Sequence, residues 1–387
     1  MPLLTAFKLF SFVADGWTPI WDVFGNMIEP LNAYVPLLSV GGNHELGSTE
    51  NWQSYSARYP TNPQDSMSPN FCYHGREVGP MNIISLCSYG AANYAGLNTG
   101  ATSLQYQWLV NYLTTIDRNR TPWIMVQFHV PMYCTNVGHY MEGEIFRRQY
   151  EALLYKYGVD VVMNGHVHAY ERSHPVFNNT VDPCGITHLV LGDGGNYENA
   201  YVPWITPQQS WSAFREASFG VASLTVLSAS QAKYTWHRHA CGSNHTVATA
   251  SNNYNQNFNA SCVSNGDNSD TVAQSVDSYT LTRPTINQCP NRYTSSMPLP
   301  TMAPVSPTMA PTIAPGSTPT VVVFDVMQVS FCCFCYFVVI TSSILNFQCR
   351  KLKNAKLPSF TSNSRRSPAL IKQQLFQVLS RPFYRAS

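Results

Sequence analysis

The chain has 387 residues, a formal net charge of +2 and only 11% charged residues. Its basic residues are thinly spread before the C-terminus and form no stripe interleaved with aromatics, which excludes a nucleic-acid surface of the usual electrostatic kind. The length allows a large core in one or two domains.

In chain order, the opening MPLLTAFKLFSFVADGW places Lys8 inside its apolar run and offers no small-residue cleavage pattern. Residues 1–13 are therefore expected to be an atypical N-terminal segment and a poor signal peptide. Three apolar runs then each stop at a polar cluster: YVPLLSVGGNHE at 34–45, PWIMVQFHVPMY at 122–133 and VDVVMNGHVHAYE at 159–171. Short and β-rich, they predict buried strands whose polar clusters lie at the C-terminal ends. Leu104, Trp108, Tyr112 and Ile116 form a helical stripe before the second run. Phe146, Tyr150, Leu153, Leu154 and Tyr157 form another between the second and third. Strands alternating with helices imply a layered α/β fold, in which ligands gather beyond the carboxyl ends of the strands. On that geometry Asn43, His129, His166 and His168 converge.

Seven of the eleven cysteines (Cys72, Cys87, Cys134, Cys184, Cys241, Cys262 and Cys289) are dispersed singly, and none forms a CxxC pair. Four N-x-S/T sequons share their region, at Asn119, Asn178, Asn244 and Asn259. Together they favour glycosylation and a secretory, disulfide-permissive compartment. The odd count leaves at least one thiol free or paired outside the chain.

Residues 295–320, SSMPLPTMAPVSPTMAPTIAPGSTPT, are a Pro/Thr-rich repeat that builds no core and reads as a stalk. Residues 327–347, MQVSFCCFCYFVVITSSILNF, are free of charge and long enough to cross ~30 Å of hydrocarbon as one helix. Arg350, Lys351, Lys353 and Lys356 follow, so residues 348–387 are expected to be a basic cytoplasmic tail. The expectation is a single-pass type I membrane protein whose catalytic domain is extracellular or lumenal, although the N-terminus does not match that topology.

The histidine clusters point to metal chemistry. Imidazole with amide or carboxylate oxygen suits zinc, iron or manganese, and two such ions about 3.5–4 Å apart clamp both oxygens of a phosphoryl transfer. A lone His-x-His pair is a weak signal, and a histidine pair without metal is the competing reading. Three clusters in this order, each closing a strand, favour the metal.

At this point a resemblance is clear: GGNHE, VQFH and NGHVHAYER resemble the later motifs of the purple acid phosphatases, a branch of the calcineurin-like metallophosphoesterases. ADGW…WDVFGNMIEP, TPWIMVQFHVPMY, HYMEGE, LGDGGNYE, WSAFREASFG and YTWHRH are similar in the same order, over about residues 14–239. The resemblance implies an α/β metallophosphoesterase sandwich of mixed β-sheets flanked by helices over 14–294, followed by the stalk and the single transmembrane helix. It also implies hydrolysis of phosphate monoesters by an acid phosphatase with a dinuclear centre of iron with zinc, manganese or a second iron. By the same resemblance Asn43, His129 and His166 are ligands of the divalent metal, and His168 is a ligand of the ferric iron. His44 contacts substrate with Asn43 and protonates the leaving oxygen, while His139 is a substrate-side histidine whose usual histidine neighbour is Gly138 here.

Departures are equally specific. The family's DxG motif has no counterpart, and aligned back from Asp15-Gly16 its GDxxY aspartate and tyrosine fall on Phe10 and Val13, which bind no metal. The chain is therefore expected to be an N-terminally truncated form that holds at most one divalent metal and is a poor catalyst as it stands. Its partners are a phosphate monoester, a membrane through the C-terminal helix and, compatibly, a second copy in a homodimer. A non-catalytic, membrane-tethered phosphoesterase-like domain is the alternative. A different calcineurin-like phosphoesterase is a third reading, against which AYER and AFREASFG stand.

Overall fold

The structure, a computed structural model, describes residues 5–10, 19–34, 37–46, 51–61, 63–68, 70–89, 98–194, 200–238, 274–290, 292 and 334–339. In chain order the first elements are β1 (Thr5–Phe10), α1 (Pro19–Asn32), β2 (Leu37–Val40), the short α2 (Asn43–Leu46), α3 (Gln53–Arg58) and α4 (Pro63–Ser66). They are followed by β3 (His74–Val78), β4 (Met81–Ser85), α5 (Leu104–Thr115), β5 (Trp123–Gln127), α6 (Glu144–Lys156), β6 (Val161–Asn164) and β7 (Tyr170–Ser173). The rest are β8 (Val176–Phe177), β9 (Thr180–Val181), β10 (Thr187–Leu191), β11 (Ser212–Glu216), β12 (Gly220–Val226), β13 (Gln231–Arg238), β14 (Gln274–Thr282) and β15 (Phe334–Val339).

The helical stripes become α5 and α6. Ser103 caps α5 by accepting from the Tyr106 amide, and the helix buries Leu109, Tyr112 and Leu113. In α6, Phe146, Tyr150, Leu153 and Leu154 share one buried face, with Glu144 in the first turn and Lys156 in the last, the charge order that suits a helix dipole.

A seven-stranded mixed sheet runs β11-β7-β10-β6-β5-β4-β3. Strands β4, β5, β6 and β10 are mutually parallel, and the outer strands are antiparallel to their neighbours. Alternation along the strands divides the core in two. Trp123 and Met125 of β5 and Val161 and Met163 of β6 join the cluster that includes Leu224, Tyr234 and Trp236 of the three-stranded sheet β12-β13-β14. Ile124, Val126 and Val162 join the cluster with Leu109, Phe146 and Tyr150 of the helices. A two-residue period on one strand thus feeds two layers, as a strand buried on both faces requires. The expected sandwich of mixed sheets with flanking helices is present.

Strand β2 lies outside the large sheet, in a three-stranded sheet ordered β15-β1-β2. Strand β15 falls inside the segment expected to be a transmembrane helix. There the structure differs: Phe334–Val339 is a strand antiparallel to β1, with Thr5 opposite Val339. Aromatic and β-branched residues favour extended backbone, and an apolar run does not by itself separate strand from helix. Among the described residues no helix is long and apolar enough to cross a membrane. The stalk at 295–320 and the basic tail at 348–387 lie outside the described residues.

Two disulfides join Cys72 to Cys87 and Cys184 to Cys289. Cys134 is free and buried, while Cys241 and Cys262 lie outside the described residues. Of the sequons, Asn119 and Asn178 are exposed, and Asn244 and Asn259 lie outside the described residues.

Candidate metal centre

The centre forms where the parallel strands β5 and β6 stop. Past their ends the chains remain tied, the Phe128 amide donating to Met163 O at 3.2 Å and the Gly165 amide to His129 O at 3.1 Å. These bonds set His129 beside His166. The His-x-His segment then makes two successive three-residue turns, from the Val167 amide to Gly165 O and from the Ala169 amide to Val167 O, both at 2.7 Å. His166 has φ 63°, a left-handed conformation rare outside glycine. Val167 is fully buried, so the turns anchor it in the core between the two histidines. Directly against this turn lies Gly192, where a Cβ would stand 1.8 Å from Val167 O. Only glycine fits there.

Asn43 arrives from the other sheet, three residues after β2 ends, at the start of α2. The buried Glu45 accepts from the Gly42 amide at 2.7 Å and fixes the turn that delivers it.

Three donor atoms meet. His129 Nε2 lies 2.8 Å from Asn43 Oδ1 and 3.1 Å from His166 Nδ1. The far nitrogen of His166, Nε2, lies 3.0 Å from Glu142 Oε1, and Glu142 Oε2 lies 2.7 Å from His139 Nδ1. His139, Glu142 and His166 also form a group close enough to share a cation. The Tyr89 ring backs His129 and His166, at 5.8 and 6.5 Å. The His168 ring lies tilted against the Tyr201 ring at 4.1 Å, and His139 stacks on the same Tyr201 ring at 5.2 Å. His44 is half-buried beside Asn43.

Burial, reinforced by neighbouring imidazoles, holds the pKa of His129 and of His168 well below the ordinary histidine value. Burial also lowers His166, partly offset by Glu142. Burial alone would raise the Glu142 pKa, but hydrogen bonds from His139 and His166 outweigh it and carry the carboxyl below the usual range. For His129 and His166 a lowered pKa favours the neutral ring, the state in which imidazole binds a metal. Two neutral ring nitrogens and an amide oxygen at one point fit a divalent ion of the zinc or manganese kind. The other nitrogen of His129, Nδ1, has no hydrogen-bond partner among the described residues. His168, expected on the ferric side, is buried, and Val13 lies outside the described residues.

Residues 12–170 match the calcineurin-like phosphoesterase family model, and residues 185–248 match that of the iron/zinc purple acid phosphatase-like protein C domain. The chain thus carries a calcineurin-like phosphoesterase region followed by a purple acid phosphatase-like C region, and its relatives are purple acid phosphatases. It is 40% identical over 230 residues to purple acid phosphatase 22 of Arabidopsis thaliana, covering 58% of this chain and 51% of that protein. With a purple acid phosphatase of Glycine max it shares 37% identity over 239 residues, covering 57% and 50%. The chain spans about half the length of the curated relatives it matches. A solved purple acid phosphatase from yellow lupin (Lupinus luteus) seeds superposes with a TM-score of 0.56 at 21% identity, over 75% of this chain and 48% of that one, a likeness of fold. Purple acid phosphatases use a dinuclear centre of iron with zinc or manganese.

The structure brings Asn43, His129 and His166 into contact and joins His139 to them through Glu142. Glu142 and Tyr201 were given no role by sequence reasoning. The available signal was the position of Glu142 inside HYMEGE, three residues after His139.

Proposed function

We propose that this purple acid phosphatase domain is a phosphate monoester hydrolase, and the observation that carries the reading is the meeting of Asn43 Oδ1, His129 Nε2 and His166 Nδ1. In this reading those three residues hold a divalent metal, and His168 is the remaining ligand on the ferric side. The metal centre supplies Lewis acidity that offsets the charge of the phosphoryl oxygens. Asn43, His44 and His139 face the substrate. Water attacks phosphorus in line, the bond from phosphorus to the leaving oxygen breaks, and His44 delivers a proton to that oxygen. His139, with Nδ1 turned to Glu142, offers its other ring nitrogen to a phosphoryl oxygen.

Phe10 and Val13 stand where the resemblance puts an aspartate and a tyrosine, and neither offers an oxygen. This supports at most one divalent ion and slow turnover of an aryl phosphate at mildly acid pH. The same substitutions favour the second reading, a phosphoesterase-like domain that binds without turnover. Calorimetry with zinc or manganese on the chain and on a His129→Ala/His166→Ala variant tests the centre. One equivalent for the former and none for the latter is expected; equal heats would remove it. Robust metal-dependent hydrolysis would show that other residues replace the absent ligands.

The type I topology is a further part of the reading. It is supported by the composition of 295–320, the uncharged run 327–347, the basic residues after it and the two disulfides. A membrane helix over 327–347 and the pairing of β15 with β1 exclude each other, so protease protection of the tail after Lys351 in intact vesicles decides between them. Mass in solution decides whether the chain is a homodimer.

A further inference from the structure

Glu142 is placed by an unusual piece of backbone. The Glu142 amide donates to His139 O at 3.3 Å, Met141 has a left-handed φ of 63°, and Gly143 follows with its Cα against Pro131 O, where a Cβ would stand 2.1 Å away. Asn136 braces the same turn, its Oδ1 accepting from the Gly138 amide at 3.1 Å and its Nδ2 donating to Tyr201 O at 3.1 Å. A left-handed non-glycine residue held this firmly signals that the position of its neighbour matters.

We propose that Glu142 is a positioning residue that acts on two histidines at once, accepting the Nε2 proton of His166 on one oxygen and the Nδ1 proton of His139 on the other. The inference rests on the proposed reading of Asn43, His129 and His166 as a metal centre. A neutral imidazole carries one proton. With that proton on Nε2 and held by Glu142, the lone pair of His166 is confined to Nδ1, the nitrogen that faces His129 Nε2, which in turn lies against Asn43 Oδ1. Glu142 therefore selects the tautomer in which His166 is a ligand. Its second oxygen orients His139, whose ring stands 4.6 Å from that of His166, so the substrate-side histidine and the metal-side histidine are aligned by one carboxylate. The same cluster read as a second cation site is less favourable. A metal on Nε2 as well as Nδ1 would require His166 to be a doubly deprotonated imidazolate, whereas a shared proton requires only the neutral ring.

The test uses the full chain with zinc as probe, and Glu142→Ala and Glu142→Gln variants. Nitrogen NMR of the metal-free protein should find His166 as the Nε2–H tautomer, with the population shifting toward Nδ1–H in Glu142→Ala. Zinc affinity should fall roughly 10–100-fold in Glu142→Ala, the usual effect of removing a partner of a ligating histidine. Glu142→Gln, whose single carbonyl oxygen can serve only one of the two rings, should fall between. Both metal-free variants should keep the parent's far-ultraviolet circular dichroism, so that a loss of zinc is not a loss of fold. An Nδ1–H tautomer in the parent, or unchanged zinc affinity in Glu142→Ala, would overturn the assignment. So would a stoichiometry that drops from two ions to one, which would make Glu142 a ligand. Failure of the parent to bind zinc overturns the centre itself, and the tautomer measurement then still decides the role of Glu142.

Discussion

Arg172 of β7 and Asp277 of β14 form a two-pronged ion pair, Nε to Oδ2 at 2.7 Å and Nη2 to Oδ1 at 3.0 Å, that ties the seven-stranded sheet to the three-stranded one. Both residues are buried, and the Tyr170 hydroxyl donates to the same Asp277 Oδ2 at 2.6 Å. Removing one partner of a buried pair leaves the other charge without compensation. Asp277→Ala is predicted to lose about 3–5 kcal/mol in urea unfolding, and a loss below about 1 kcal/mol would show that solvent reaches Arg172.

Gly192→Ala should disturb the His-x-His turn directly, because the added methyl meets the Val167 carbonyl, part of the backbone and unable to swing aside. We predict a loss of more than about 2 kcal/mol in stability together with loss of zinc binding. Unchanged zinc affinity would mean that the turn reorganises without moving His166.

Asp193 is fully buried, with Oδ2 accepting from Trp236 Nε1 at 2.7 Å. Burial raises its pKa to about 7, the Trp236 hydrogen bond opposing. Below the unfolded-state pKa of about 3.9 both states are protonated and the group contributes nothing. Between there and about 7 the unfolded chain ionises while the folded one does not, so stability drains away as pH rises, and above about 7 the penalty is complete. An asparagine side chain at this position would still accept from Trp236 but would not ionise. Asp193→Asn should therefore gain on the parent by on the order of 3 kcal/mol between pH 4 and pH 7.5, read as the difference of denaturant midpoints. A difference independent of pH rules this out.

The Cys184–Cys289 disulfide closes a loop across a sequence separation of 105 residues. By the chain-entropy argument a loop of that size stabilises by about 4–5 kcal/mol. The double substitution Cys184→Ser/Cys289→Ser should therefore cost far more than Cys134→Ser, a thiol that is free in the fold. Guanidinium unfolding of the two variants makes the comparison; equal midpoints would discount the loop.

The sandwich was readable in the sequence because its strands and helices advertise themselves by period. Trp123 to Val126 alternate between two cores, and Phe146, Tyr150 and Leu154 repeat down one helix face. The histidines were readable because each closes such a strand. Glu142 was not: a carboxylate in an exposed turn looks like any solvated charge until the fold brings His166 to it from the end of β6. The sheet that carries Asn43 was not readable either, since YVPLLSV resembles the other apolar runs and nothing local says that it pairs with β1 instead of β4. Disulfide partners depend on distances that spacing along the chain does not encode.

Asn43 and the two histidines reach one point from different sheets, Asn43 after β2 and His129 and His166 after β5 and β6. An ion held there is a rivet as well as a reagent. Its binding would tie β2, and the sheet it belongs to, to the ends of β5 and β6, so a chelator should loosen that smaller sheet before it touches the large one. At a free ion concentration one hundred times the Kd, that rivet adds about 2.7 kcal/mol to the attachment of the smaller sheet, and limited proteolysis should report it as protection of the N-terminal portion.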